Sequence, residues 1–278
     1  METALGQKIL VRAHGFYSLG TVLAGTAGIG FRALGLAPWL HLTIMLPVAT
    51  AMAIIATQRM QTVPARWDEA IGSDARVVRP TLAIVMLFIA GGASLYLDNA
   101  ASDWSVILLR DGYALNAVAA TVAVTVWAVG RAFGRLSYPV IERRVGETRL
   151  ALGMACIALA GLALVILSAY AGLAMFGLVL MGFGTSALFP MAISAAARLT
   201  DRPSAVNVAS LSQLAFLSAI ATPIVLGGLV ELFGIRLAFA SGTVVMAASL
   251  AVLLFRKPFG RVADGSVYRS KSWRTRQR

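Results

Sequence analysis

Eight apolar stretches, separated by short basic connections, constrain what this chain can become more than any other feature of its sequence. They run from His14 to Arg32, Ala37 to Ala56, Pro80 to Asn99, Leu115 to Phe133, Arg149 to Tyr170, Gly172 to Ala197, Val206 to Val230, and Ile235 to Phe255. Crossing a bilayer takes roughly 20 predominantly apolar residues per helix. In hydrocarbon the backbone satisfies its own hydrogen bonds only as helices or closed barrels. The expected fold is therefore an all-α integral membrane protein of eight transmembrane helices. Composition agrees, with 13% of residues charged against roughly a quarter in a soluble domain. Small residues predict where helices approach closely. Gly20, Ala24 and Gly28 form one such seam, and Gly130 and Gly134 form another.

The net charge of +12 raises nucleic acid as a partner, and its distribution argues against it. If the amino terminus is cytoplasmic, all but three of the 24 Lys and Arg residues fall on the cytoplasmic side, Arg32, Arg110 and Arg236 being the exceptions. The positive-inside rule then puts both termini in the cytoplasm. The expected partner is the lipid bilayer, and the basic tail 256–278 reads first as part of the positive-inside signal, with contact to anionic headgroups as an added role. METALGQKILVRAHG, at the start of the chain, is too polar for the core of a cleavable signal. Cys156, the single cysteine, reads as a packing residue and excludes an intrachain disulfide. Two distant histidines, His14 and His41, and no metal-ligand spacing leave no basis for an enzyme, a metal or a cofactor.

Local sequences carry a family resemblance. GGASLYLDNAASDWSVILLRD, from Gly91, is similar to the acid-containing, DWS-ending seventh helix of a bacterial branch of the major facilitator superfamily. GRAFGRLSYPVIERRVG, Gly130 to Gly146, resembles the Gly-Arg-rich cytoplasmic loop joining the eighth and ninth helices. GFGTSALFPMAISAAAR from Gly182 resembles the tenth helix, and TPIVLGGLVELFGIRLAF from Thr222 the end of the eleventh and the turn into the twelfth. RAHGFYSLGTVLAG from Arg12 resembles the start of the fifth. The resemblance implies an inner-membrane carrier, near the fucose permeases, in which this chain corresponds to helices 5–12 of the twelve. Residues 1–56 would then close an incomplete amino-terminal half, 57–79 would be a cytoplasmic connector, and 80–255 a complete six-helix half built as a three-plus-three inverted repeat. The tail 256–278 follows.

Polar residues inside spans are costly in lipid and by default face a cavity or a partner helix. Ser94, Asp98 and Ser102 share one helix face, with Asn99 and Asp103 beside it. A carboxylate there would take up a proton or hold a polar substrate; otherwise Asp98 and Asp103 cap helix ends at the outer interface. The family has Glu-Gly where this chain has Asp98-Asn99, which keeps the acidity on a shorter side chain. Asn207, Ser210 and Gln213 form a second stripe, for substrate or for interhelical hydrogen bonds. Asn116, His14 and His41 sit at helix starts, the histidines as proton carriers or as structural interfacial groups, and Glu231 lies at the outer boundary beside Arg236. Pro190 and Pro223 predict local kinks.

In the family, GxxxD followed by arginines supplies an acid that latches the cytoplasmic side shut. Gly130, Arg131, Gly134, Arg143 and Arg144 fit that gating loop, but Arg135 stands where an Asp is usual, so the latch is weakened unless Glu142 substitutes. Proton-driven drug exporters carry a GPxxGG-like motif in the fifth helix, and GTVLAGTAGIG from Gly20 contains no proline. The expectation is a secondary carrier for a small solute, a sugar or other polar metabolite, with proton coupling. The alternative is a transport-inactive remnant or one part of a split carrier, completed by a missing amino-terminal segment or a second copy.

Overall fold

The computed structural model describes residues 9–60, 78–256 and 258–259, without the side chains of 9–19, 38, 59 and 60. Most of the connector (61–77), the tail from 260 onward and the His14 side chain therefore lie outside the described residues. Within them the chain forms eight long helices and no strand. We number them α1 (Ile9–Ala33), α2 (Pro38–Met60), α3 (Leu82–Gly112), α4 (Ala117–Val145), α5 (Glu147–Leu167), α6 (Ala171–Arg198), α7 (Ser204–Phe233) and α8 (Ile235–Arg256). All but α1 include an apolar stretch long enough to cross a membrane by length and composition.

Helices α3 to α8 share one core. Among these six, the interface of α5 with α6 is the largest, followed by α4 with α6 and then α3 with α6. Helix α1 packs on α4, and α2 touches little but α1. None of the apolar window of α2 is buried, and Leu42, Leu46, Met52 and Ile55 all face outward. The hydroxyls of Thr43, Thr50 and Thr57 on that helix each donate to the carbonyl four residues back, so none is left unpaired toward lipid.

Local chemistry accounts for the helix ends. Thr81 caps α3 by accepting from the Ile84 N–H, and Asn116 caps α4 by accepting from the Ala119 N–H. Glycines at φ +82 and +80, Gly146 and Gly234, turn α4 into α5 and α7 into α8, each in a single residue. These two turns lie at opposite ends of the bundle. We call the end holding Gly146 the connector end, since α3 also begins there, and the other the far end.

Helices α3 and α6 are interrupted near their mid-length, and α4 briefly at Thr121, close to its start. In α3 the segment Phe88–Gly92 is π-helical, which leaves the Ala90 carbonyl to accept from the Ser249 hydroxyl of α8 at 2.6 Å. Ser249→Ala is expected to lower stability by about 1 kcal/mol, as interhelical hydrogen bonds in membranes do. Thermal unfolding in detergent measures it. Helix α6 breaks at Ser186 and Ala187, between Thr185 and Leu188. Pro190 falls in the first turn of the restarted helix, where its missing N–H costs nothing. Helix α7 runs unbroken through Pro223.

Several expectations need correction. Helix α3 continues to Gly112 rather than ending at Asn99, and α4 to Val145 rather than Phe133. Residues Gly130 to Val145 are therefore helix and not a loop. The α1 seam is not Gly20, Ala24 and Gly28, because a Cβ at Gly20 would meet nothing and one at Gly28 only His41. Helix α1 instead packs on α4 with Gly25 against Thr125, and Val22 lies against the core. Cys156 is exposed on the outer side of α5 and is not a packing residue.

Candidate functional site

Three helices bring one charged residue each, or a hydroxyl, to a common point. Asp98 of α3 is buried. Its Oδ1 accepts from the Thr185 hydroxyl of α6 at 2.6 Å, and its Oδ2 lies 3.2 Å from the Arg131 Nη2 of α4. The Arg131 guanidinium also lies over the Trp127 ring, 5.0 Å from its centroid. An ion pair removed from water holds together only where its remaining hydrogen-bonding capacity is met. Here Thr185 meets part of it and the indole face screens part of the guanidinium.

Depth follows from the helix bounds. Arg131 stands midway along Ala117–Val145, Asp98 near the middle of Leu82–Gly112, and Thr185 near the middle of Ala171–Arg198. At about 1.5 Å per residue each lies roughly 20 Å or more from either end of its helix. The cluster thus occupies the mid-length of all three helices, as far from aqueous ends as the bundle allows.

Close backbone approach builds this meeting point. A Cβ on Gly182 would sit 2.2 Å from the Trp127 carbonyl oxygen, and one on Gly130 would sit 2.0 Å from the Val179 carbonyl oxygen. A Cβ on Gly134 would similarly strike Ser186 and Phe183. The expected Gly130 and Gly134 seam is thus real and joins α4 to α6. It is what carries Thr185 to Asp98. The break in α6 also leaves the Ser186 carbonyl to accept from the Arg135 Nε at 3.1 Å.

Of the sequence candidates, Asp98 is at the centre. Asn99 adjoins it, with a buried Nδ2 that has no partner. Asp103 points outward and accepts from Ser102. Asn207 and Gln213 are elsewhere, at the connector end of α7. The Asn207 amide donates to Asp201, and the Gln213 amide, oriented to satisfy both its ends, pairs with the Val78 backbone. Asn207 thus anchors the turn between α6 and α7, Gln213 anchors the segment leading into α3, and neither is bonded to Asp98.

The residues expected to form a cytoplasmic gating loop divide in two. Arg131 and Arg135 are interior residues of α4 and leave the count of connector-end charges. Glu142, Arg143 and Arg144 close the helix, where the two arginines complement its dipole. Glu142 hydrogen-bonds the buried Tyr138. Nearby, Arg198 of α6 bridges both carboxylate oxygens of Glu147 of α5 at 3.0 and 3.1 Å. Half-exposed pairs of this kind contribute about 0.2–1 kcal/mol. Glu147→Gln is therefore expected to shift the detergent melting temperature only slightly.

At the far end Arg236 stacks on the Tyr113 ring at 4.0 Å rather than pairing with Glu231. Burial raises the Tyr113 phenol pKa, and the Arg236 cation opposes that shift. His41 stacks on Phe31, a packing contact between α1 and α2.

Thr185, Trp127 and the interior place of Arg131 escaped sequence reading. Only the four-residue spacing of Trp127 and Arg131, inside an apolar stretch that ends in arginines, could have signalled that this arginine turns inward.

Known proteins supply a comparison. A Yersinia pestis protein named as an uncharacterized MFS-type transporter is 25% identical over 254 residues, covering 86% of this chain and 61% of its own length. A Sinorhizobium fredii protein named as an uncharacterized transporter is 24% identical over 246 residues, covering 86% of this chain and 63% of its own length. The chain thus spans about three-fifths of the length of these curated relatives. No family model and no solved structure matches it. With eight long helices around one apolar core, the chain is an all-helical, multi-pass membrane protein similar to transporters of the major facilitator type.

Proposed function

We propose that the chain is a secondary-active carrier of the major facilitator superfamily, from the bacterial branch near the fucose permeases, moving a small polar solute. The observation that carries this reading is the Asp98–Arg131–Thr185 cluster at the mid-length of three helices. Buried ionisable groups in membrane spans mark solute and ion pathways, and carriers of this kind bind at mid-depth beside interrupted helices. The π-helical segment Phe88–Gly92 of α3 and the break in α6 fall within a few turns of the cluster. The solute is a sugar or other polar metabolite, and Asp98 couples its movement to protons.

Residues 80–255 act as one six-helix half and 1–56 as the end of the other. The matching glycine turns at Gly146 and Gly234, on opposite ends of the bundle, support an inverted three-plus-three repeat. Arginines at the connector end, among them Arg79, Arg143, Arg144, Arg149 and Arg202, support a cytoplasmic placement of that end and of both termini in the inner membrane.

Uptake of labelled sugars and acids into proteoliposomes under an imposed proton gradient tests the proposal. Saturable uptake that Asp98→Asn abolishes is the expected result. Uptake by that variant at wild-type rates over all pH values would remove Asp98 from the mechanism. A second reading, one part of a split carrier or a transport-inactive remnant, draws on α2, whose apolar window is wholly unburied. Inserted, folded protein that transports only when co-reconstituted with a further membrane segment would favour a split carrier, and protein inert under both conditions a remnant.

A further inference from the structure

Every acid described at the connector end has its partner inside the bundle. Glu142 hydrogen-bonds Tyr138, both carboxylate oxygens of Glu147 accept from Arg198, and Asp201 accepts from the Asn207 amide. The bases there are not balanced in the same way. Arg143 and Arg144, in the last turn of α4, and Arg149, in the first turn of α5, are all exposed. Among the described residues none of the three has an acidic partner. Gly146, at φ +82, turns one helix into the other in a single residue, so the three cations stand around one turn. Arginine stays charged in proteins. Like charges held close together repel unless an anion lies among them.

The surface beside this turn is apolar and grooved. Although joined by one residue, α4 and α5 touch each other little, and both pack on α6. Helix α4 reaches α6 at Val179, Gly182 and Ser186, whereas α5 reaches it at Gly177, Met181 and Gly184. With 3.6 residues per turn, the strip of α6 left between those two faces carries Phe176, exposed, and Phe183, half-buried. Phe133 of α4 lies against Phe183, with ring centroids 5.9 Å apart, and is itself exposed. Val140, two turns closer to the arginines, is exposed as well. On α5, Gly153 stands one turn from Arg149, and a Cβ there would meet nothing within 4 Å. A shallow apolar groove on the outer side of the bundle therefore runs over α6 and ends at the arginine turn.

We propose that the α4–α5 turn binds one anionic phospholipid, its phosphate among Arg143, Arg144 and Arg149 and an acyl chain along the groove over α6. Guanidinium groups match phosphate oxygens with paired hydrogen bonds. The turn closes two membrane-spanning helices, so the cations stand at the level of the headgroups. A phospholipid fills the apolar groove as well as the basic turn, whereas a free phosphate leaves the groove bare. The inference rests on the membrane-spanning fold and not on the carrier reading.

The test uses the full chain purified in dodecyl maltoside, with native mass spectrometry to count bound lipid and thermal melting to read its effect. Cardiolipin, phosphatidylglycerol, phosphatidylcholine and inorganic phosphate are added in turn. One anionic lipid per chain is expected to be held roughly tenfold more tightly than phosphatidylcholine, or better. It is expected to raise the melting temperature, as a ligand of the folded state does, and inorganic phosphate is not. Arg143→Gln/Arg144→Gln/Arg149→Gln is expected to weaken lipid binding by about tenfold or more, since each arginine near anionic lipid counts for about fivefold. All three side chains are exposed, so the melting temperature without lipid should change little. Arg269→Gln/Lys271→Gln/Arg274→Gln removes the same charge from the tail and is expected to keep the tightly held lipid. Equal losses in the two triple variants, or phosphatidylcholine held as tightly as the anionic lipids, would overturn the site. Inorganic phosphate that stabilises the chain as well as lipid does would overturn the phospholipid as its occupant. Solute uptake is not among these readouts, so the carrier reading stands or falls separately.

Discussion

Asp98→Asn is expected to cost about 3–5 kcal/mol of folding stability, because it strands the Arg131 guanidinium in the interior without its counter-charge. Arg131→Gln, which strands the carboxylate instead, is expected to cost a similar amount. Removing both charges together is a different perturbation. Asp98→Asn/Arg131→Gln removes both members of the pair and strands neither, so its loss is expected to fall well short of the sum of the single losses. Denaturant unfolding in detergent of the wild type and the three variants completes the cycle. Strictly additive losses would mean that the two side chains do not interact, and the cluster would lose its standing as a site. Thr185→Val separates the hydroxyl from the ion pair. It deletes one hydrogen bond to a charged group, and about 1.5–3 kcal/mol is expected to go with it.

The second large effect belongs to the α4–α6 contact. Gly182→Ala would place a methyl group 2.2 Å from the Trp127 carbonyl oxygen, a backbone atom that yields only if the helices separate. Overpacking of this kind costs about 1–3 kcal/mol, more where backbone blocks backbone. Here it also withdraws Thr185, three residues on, from Asp98. Loss of stability and loss of solute uptake are therefore expected together. Gly153→Ala on α5 is the control, since a Cβ there meets nothing within 4 Å. It exchanges glycine for the better helix former and is expected to be neutral or stabilising by about 1 kcal/mol. Equal losses in the two variants would show that helix propensity, not close packing, governs these positions.

How far the site was legible depended on the residue. Asp98 stands out in any reading because a carboxylate in an apolar stretch is costly and rare. Its depth did not stand out. Asp98, Asn99, Ser102 and Asp103 lower the apolar character of the chain enough to look like a helix end. Yet α3 runs on to Gly112, with Asp98 and Ser105 turned inward and Asp103 outward. Arg131 and Arg135 misled in the same way. Strings of arginine usually mark a helix end outside the bilayer. These two are held inside by Asp98 and by the Ser186 carbonyl, partners 33 and 51 residues away in sequence.

From the sequence alone came the class of fold, the number of long helices and the stretches that form them. Each rests on a local property, the length of an apolar run against the thickness of hydrocarbon, which needs no knowledge of neighbours. The Gly130 and Gly134 seam was legible for the same reason, small residues at helical spacing. Tertiary structure decided which polar groups meet. Asp98, Arg131 and Thr185 come from three helices, and their contact depends on how closely α4 and α6 approach and on where α6 breaks. It also assigned Asn207 and Gln213, which resemble site residues in sequence, to the anchoring of two connections, the turn between α6 and α7 and the segment before α3. A polar side chain in a span needs a partner. Composition announces that need, and only packing names the partner.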